Sequence, residues 1–67
     1  MKGEYEMELK TLLFEKTAAA LATLQTEKER WPGEEHELTR RTFCALYELV
    51  EEAGLEDEYY AWKEARA

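Results

Sequence analysis

The sequence is poor in the residues that break helices and in those that build cross-links or metal sites. Its 67 residues include three glycines, one proline, one cysteine and one histidine. A single cysteine excludes an intramolecular disulfide, and a single histidine provides no histidine-based metal framework. We therefore expect no cofactor and no metal, so that regular helix packing and self-association must stabilise this small chain.

Long apolar runs and cations are also scarce. No apolar run approaches the roughly 18 residues that cross a bilayer, and 9 Lys and Arg face 16 Asp and Glu, giving a net charge of −7. This charge opposes binding to the phosphates of nucleic acids and to anionic lipids. The acidic N-terminal residues do not resemble a signal peptide, and a lone cysteine is typical of a reducing compartment. We expect a cytoplasmic protein with no membrane and no direct nucleic-acid partner.

The stretch between Gly3 and Pro32 has no helix-breaking residue and predicts one long helix, from about 4 to 30. Gly3 is its predicted N-cap, and Lys28 and Arg30 complement the dipole at its C-terminal end. Its apolar arc is wider than a two-stranded coiled-coil seam, which predicts contacts with two neighbouring helices. The arc consists of Tyr5, Leu9, Leu12, Leu13, Phe14, Ala20, Leu21 and Leu24.

Trp31-Pro32-Gly33 predicts the end of this helix, because the residue before a proline is disfavoured in the α region. A second helix is predicted from about 34 to 53, with Gly33 as its cap and His36 as a solvated residue in its first turn. We expect its apolar stripe to pack inward against the other helices. The stripe consists of Leu38, Thr42, Ala45, Leu46, Leu49, Val50 and Ala53, with Phe43 and Tyr47 on one flank.

Gly54 followed by Leu55 predicts a Schellman ending, and a short third helix is predicted from about 56 to 66. A helix of eleven residues is marginal alone in water, so it must dock, with Phe43, Tyr47 and Val50 as the nearest surface. Short connections make consecutive helices antiparallel neighbours. We predict an all-α fold in which an antiparallel hairpin and a short third helix form a three-helix bundle. Dimerisation completes this bundle, and residues 1–67 form one domain.

No arrangement of residues in the sequence points to catalysis. His36 and Cys44 lie eight residues apart, about 12 Å along one predicted helix, and cannot form a catalytic dyad. The glutamates around His36 lack the spacing of metal ligands on a helix. Phosphate-binding glycine loops and Ser-His-Asp sets are also missing. We predict a non-enzymatic protein.

Acidic residues are concentrated in the second half of the sequence. Residues 1–30 carry five Lys or Arg and six Glu, whereas residues 31–67 carry four Lys or Arg and ten Asp or Glu. The acidic region consists of Glu48, Glu51, Glu52, Glu56, Asp57 and Glu58, with no cation between Arg41 and Lys63. Such a region can simply keep the protein soluble, or it can dock a basic partner.

The predicted third helix holds Tyr59, Tyr60 and Trp62. Tyr and Trp pack well in cores and are also enriched at interfaces. Tyr59 and Trp62 share a helix face and Tyr60 points elsewhere, so we expect at least one ring near a boundary with another chain. The candidate interface aromatics are Phe14, Phe43, Tyr47, Tyr59, Tyr60 and Trp62.

These patterns lead to two hypotheses about function. The first is a protein–protein interaction module that self-associates as a homodimer, because the core of the isolated chain is thin. The alternative is an inhibitor or nucleic-acid mimic that docks a basic protein through the acidic 48–58 region.

Overall fold

Three helices account for nearly all of the described chain, in the order that the sequence predicts. The computed structural model describes the backbone of residues 2–66 and the side chains of residues 9–66. Helix α1 spans Lys2–Arg30, α2 spans Glu37–Glu52 and α3 spans Glu56–Arg66, with no strand among these residues. Helix α1 packs along α2 as a hairpin, and α3 contacts both helices. The predicted all-α fold is confirmed.

The ends of α1 differ in how well they were predicted. The helix already includes Lys2, so Gly3 lies inside it and the prediction of Gly3 as N-cap is wrong. The predicted C-terminal end is confirmed, because α1 ends at Arg30, before the proline. The last hydrogen bond runs from the Trp31 N–H to the carbonyl of Glu27 at 2.8 Å. The predicted role of Tyr5 in the apolar arc lies outside the described side chains.

Helix α2 begins three residues later than predicted, and His36 rather than Gly33 is its N-cap. The Glu34 N–H donates to the carbonyl of Trp31 at 3.1 Å, which closes a turn after α1. His36 then adopts left-handed backbone angles, φ 54° and ψ 41°, so that helical geometry starts only at the next residue. Glu34 and Glu35 therefore lie in the connection and not in the first turn of the helix.

The prediction that His36 is solvated is also wrong. Its side chain is only 7 % exposed, and its Nε2–H donates to the carbonyl oxygen of Trp31 at 2.8 Å. Its Nδ1 lies 3.7 Å from Oε1 of Glu27. The imidazole thus links the connection to the end of α1. The Trp31 carbonyl, which lies beyond the last residue of α1, accepts this side-chain bond as well as the bond from the Glu34 N–H.

The turn between α2 and α3 has the predicted Schellman geometry. Gly54 has φ 70°, its N–H donates to Glu51 at 3.0 Å, and the Leu55 N–H donates to Val50 at 2.9 Å. Leu55 packs back against the core, which is the hydrophobic contact that usually accompanies this motif. The motif directs α3 back along the hairpin.

The core is small and lies where the three helices meet. Phe14 from α1, Val50 from α2 and Tyr59 from α3 are each at most 3 % exposed and form one cluster. Leu24 is also buried, and Thr17 is fully buried with its hydroxyl donating to the carbonyl of Leu13 at 2.7 Å. That bond satisfies the hydroxyl inside its own helix, so a threonine is accommodated in the core.

Helix α2 packs inward with its aromatic flank and with only part of the predicted stripe, Leu46 and Val50. Val50 is buried and Phe43, Leu46 and Tyr47 are partly buried. The aromatic flank faces inward because large rings bury more apolar area than alanine and threonine do. The stripe residues left exposed to solvent are Leu38, Thr42, Ala45, Leu49 and Ala53.

Candidate interaction surfaces

Rings from all three helices form one continuous aromatic cluster. The ring centroids of Phe14 and Tyr59 are 5.5 Å apart, and those of Tyr59 and Trp62 are 6.2 Å apart and stacked. Tyr47 lies 6.1 Å from Tyr59, which joins α2 to the same cluster. The predicted docking of α3 on the surface around Tyr47 and Val50 is confirmed. The cluster contains all the candidate interface aromatics, Phe14, Phe43, Tyr47, Tyr59, Tyr60 and Trp62.

The solvent edge of this cluster is formed by two tyrosine hydroxyls. The hydroxyls of Tyr47 and Tyr60 are 2.8 Å apart, and the Tyr60 residue is 50 % exposed. This hydrogen bond, followed by desolvation, raises the pKa of Tyr47, because both favour the neutral phenol. Phe14 and Tyr59 are buried within the chain, so a partner chain can reach the cluster only through its edge.

The buried ring of the cluster carries an unsatisfied polar group. Tyr59 is 1 % exposed, and its hydroxyl has no hydrogen-bond partner among the described residues. Burial raises the pKa of Tyr59, and the neighbouring Tyr60 raises it further. The apolar body of this ring, rather than its hydroxyl, therefore holds α3 in place.

The acidic region lies at the end of the molecule where α2 turns into α3. One of its carboxylates is neutralised, because Nζ of Lys10 lies 2.6 Å from Oε2 of Glu58. The others, Glu48, Glu51, Glu52, Glu56 and Asp57, are exposed and form no ion pair with a described side chain. The sequence alone gives no sign of the Lys10 pairing, because the two residues are 48 positions apart.

The acids of this region have different relations to the helix dipoles. Glu56, Asp57 and Glu58 lie in the first turn of α3, where negative charge is favourable. Glu51 and Glu52 lie at the end of α2, whose last turn has no basic residue. A carboxylate at a helix C-terminus is disfavoured, so local helix stability does not account for these two residues.

Leucines exposed on α1 and α2 form a second surface, which we call the leucine face. Leu12 precedes Phe14 by two residues and Leu49 follows Tyr47 by two, so each points about 160° away from a residue that contacts α3. Leu9 and Leu38 point in similar directions. The leucine face comprises Leu9, Leu12, Leu38 and Leu49, with exposures of 52, 48, 81 and 53 %.

These leucines belong to the apolar arc of α1 and the apolar stripe of α2, which the sequence predicts to pack inward, and the structure leaves them exposed. The signal that could have corrected this lies on the flank of α2, where Phe43 and Tyr47 offer more apolar area than the stripe. With these rings turned inward, Leu38 and Leu49 are necessarily turned outward.

A shallow cleft separates α1 from α3. Its volume is about 520 Å³, and small alanine side chains on α1 create the space. The guanidinium of Arg66 stacks 4.5 Å from the Trp62 ring centroid and lies 3.6 Å from Oε1 of Glu15. The polar walls of the cleft are thus engaged with each other. The lining residues are Glu15, Ala18, Ala19, Trp62, Lys63 and Arg66.

The structure does not bring His36 and Cys44 into one site. Cys44 is exposed on α2, whereas the His36 ring is held against the carbonyl of Trp31. Within residues 9–66, no group of three or more His, Cys, Asp and Glu side chains is placed to hold a metal ion. None of the described helices combines the length and the apolar character needed to cross a membrane.

Comparison with known proteins gives no relative for this chain. No protein-family model matches it, and neither the curated proteins nor the solved structures contain a significant match.

Proposed function

We propose that this protein is a non-enzymatic interaction module that self-associates through its helical hairpin. The supporting observation is a large exposed surface. The chain exposes 5423 Å², whereas a compact monomer of this mass exposes about 4,400 Å². The difference, roughly 1,000 Å², is similar to the roughly 800 Å² that each partner contributes to a stable interface.

The shape and the core support the same proposal. The radius of gyration is 13.4 Å, compared with about 11 Å for a compact domain of this length. The chain has no intramolecular disulfide, and the buried apolar residues of the described chain are only Phe14, Leu24, Val50 and Tyr59. Small domains of this kind gain stability from oligomerisation. A homodimer would bury apolar surface that the monomer leaves in water.

Sedimentation equilibrium over the micromolar range tests this proposal. We expect the mean mass to rise with concentration from 7.9 kDa towards twice that value. The midpoint of thermal unfolding should rise as well, because association stabilises the folded state by mass action. A fully folded protein that stays strictly monomeric would contradict the proposal.

We also propose a cytoplasmic location for this protein. Cys44 is exposed and unpaired, and such a thiol is typical of proteins in a reducing compartment. Thiol titration of the protein purified from its native cell tests this. A reactive thiol is expected, whereas a disulfide-linked form recovered with alkylation at lysis would argue for an oxidising compartment.

The acidic region supports a second candidate function, the docking of a basic protein. The supporting observation is that Glu51 and Glu52 occupy a helix end where carboxylates are disfavoured. Like-signed charges gathered on one surface steer a partner of opposite charge. The partner could be a nucleic-acid-binding protein whose site these acids imitate.

Charge reversal tests this second function. The triple variant Glu51→Lys, Glu52→Lys, Glu56→Lys should release a basic partner that co-purifies with the unmodified chain, and rising salt should do the same. The matched control reverses Glu29, Glu34 and Glu35, which are exposed near the other end of the hairpin. If the triple variant retains every partner, the acidic region is not a docking surface.

A further inference from the structure

We propose that the leucine face binds a second copy of this chain, so that two hairpins pack face to face with their α3 helices outside. This inference rests on the proposed self-association and adds the surface through which it occurs. The four leucines make up four of the six large hydrophobic residues that are exposed among the described residues. Of the other two, Tyr60 lies against Tyr47, and Trp31 lies beside Arg30 and lines one cleft together with Leu38.

Among the described residues, packing on the hairpin leaves this side uncovered. Helix α3 covers the side of Phe14 and Tyr47. The leucines point the opposite way, and they come from both helices, so they share one side of the hairpin. A second copy on this side would complete a bundle of four long helices in which every apolar stripe is covered.

The charge distribution indicates which partner fits this surface. Thr42 and Ala45 separate Leu38 from Leu49 on the same side of α2, so no carboxylate lies between these two leucines. The acidic residue Glu48 is turned about 100° from Leu49. A chain with a net charge of −7 can therefore meet an identical chain here without opposing its acidic regions.

The charges at the border of the leucine face do not oppose self-association either. Lys16 lies seven residues after Leu9 and borders the face on α1, while Glu52 borders it on α2. These two residues have opposite signs, and each is exposed. The border of the leucine face thus carries charges of both signs, and a basic partner would gain little from it.

The exposed area of the whole chain also favours binding of a second copy. Each chain exposes roughly 1,000 Å² more than a compact monomer would, and a two-fold dimer uses the same patch on both subunits. The small Thr42 and Ala45 leave room for leucines of the opposing hairpin, as ridges of one helix fit grooves of another. A second copy on the leucine face is therefore compatible with the exposed area of the whole chain.

Charged substitutions on both helices test the inference. The acidic variant carries Leu9→Glu and Leu49→Glu, and the basic variant carries Leu9→Lys and Leu49→Lys. We expect each variant alone to be monomeric, with a dissociation constant raised about 100-fold or more, because like charges oppose each other across the interface. An equimolar mixture should recover the mass of a dimer, because the opposite charges then face each other.

The matched control adds the same number of carboxylates to the same two helices. Ala22→Glu and Cys44→Glu are at exposed positions about 140° around their helices from Leu9 and Leu49. This variant should associate as the unmodified chain does. Circular dichroism of all variants verifies that their helix content is retained.

The outcomes separate this inference from the proposed function. If the unmodified chain associates and the acidic variant associates equally well, or if the mixture stays monomeric, the leucine face is not the interface. If the unmodified chain is monomeric, the proposed self-association itself is wrong.

Dilution of the unmodified protein, followed by NMR, tests the same interface without any substitution. Methyl signals of Leu9 and Leu49 should move with concentration, whereas movement confined to Tyr60 would place the interface at the aromatic edge.

Discussion

The two sides of the α1–α2 hairpin differ in what covers them. On one side, α3 places Tyr59 and Trp62 over Phe14, and these rings form the core with Val50. On the other side, Leu9 and Leu49 remain about half exposed. An eleven-residue helix is about 16 Å long and can cover only one side of the hairpin. A chain of this size thus has enough residues to cover one side of the hairpin.

The difference also concerns the kind of residue on each side. The covered side uses aromatic rings, which bury a large area per residue and suit a short covering helix. The open side carries leucine, threonine and alanine, which suit the packing of long helices against each other. The stability of the monomer should therefore depend strongly on the covered side and weakly on the open side.

Truncation of the central ring should have the largest effect. Phe14→Ala removes a ring that contacts both Tyr59 and Trp62, and we expect it to lower the free energy of unfolding by about 3–5 kcal/mol. Urea denaturation followed by circular dichroism, at one chain concentration low enough for the protein to be monomeric, measures this change. Leu12→Ala on the open side is the control and should cost about 1 kcal/mol or less. Equal costs would mean that the two sides do not differ.

The turn that directs α3 onto the covered side offers an intermediate effect. Gly54 has a positive φ, and a Cβ there would meet no atom within 4 Å. Gly54→Ala should therefore cost about 1–2 kcal/mol through backbone strain alone. Gly33→Ala is the matched control, because its Cβ would also meet nothing within 4 Å and its φ is not positive. That variant should be neutral or more stable by about 0.4–1 kcal/mol. Similar costs at both glycines in urea denaturation would contradict the strain argument.

Local features of this fold could be predicted from the sequence. The end of α1 before Pro32, the Gly54-Leu55 turn and the bounds of α3 each depend on a few neighbouring residues, and all three are confirmed. The beginning of α2 was missed, because a left-handed histidine bonded to a backbone carbonyl leaves no clear sequence pattern. The left-handed backbone at His36 and its side-chain bond to Trp31 occur together.

The packing side of α2 could not be predicted in the same way. Periodicity admits both Leu49, in the predicted stripe, and Tyr47, on its flank. The larger ring area favours the flank, and contact with the rings of α3 turns Tyr47 inward. The pairing of Glu58 with Lys10 likewise depends on how α3 lies against α1. Both features arise from contacts between distant residues, and periodicity within one helix carries no information about them.

The smallest effect on stability is expected from removal of the Tyr59 hydroxyl. The covered side of the hairpin depends on the ring of Tyr59 and not on its oxygen. Its hydroxyl is buried without a partner among the described residues, so Tyr59→Phe should leave stability at neutral pH unchanged or raise it by about 1 kcal/mol. The measurement is urea denaturation at neutral pH. A marked loss of stability would mean that the hydroxyl has a partner.

Alkaline pH separates the ring from its oxygen. Burial raises the pKa of Tyr59 in the folded chain, so its contribution is complete below the ordinary tyrosine pKa of about 10. That contribution is lost as the pH rises from there through the higher folded pKa, because the unfolded chain releases the proton first. Tyr59→Phe should therefore reduce the alkaline loss of stability. The comparison is made between Tyr47→Phe and the double variant Tyr47→Phe, Tyr59→Phe, because the hydrogen bond with Tyr60 raises the pKa of Tyr47 and gives that residue an alkaline loss of its own. Denaturation curves from pH 9 upward compare the two, and equal alkaline losses would show that the buried hydroxyl is not the group that titrates with unfolding.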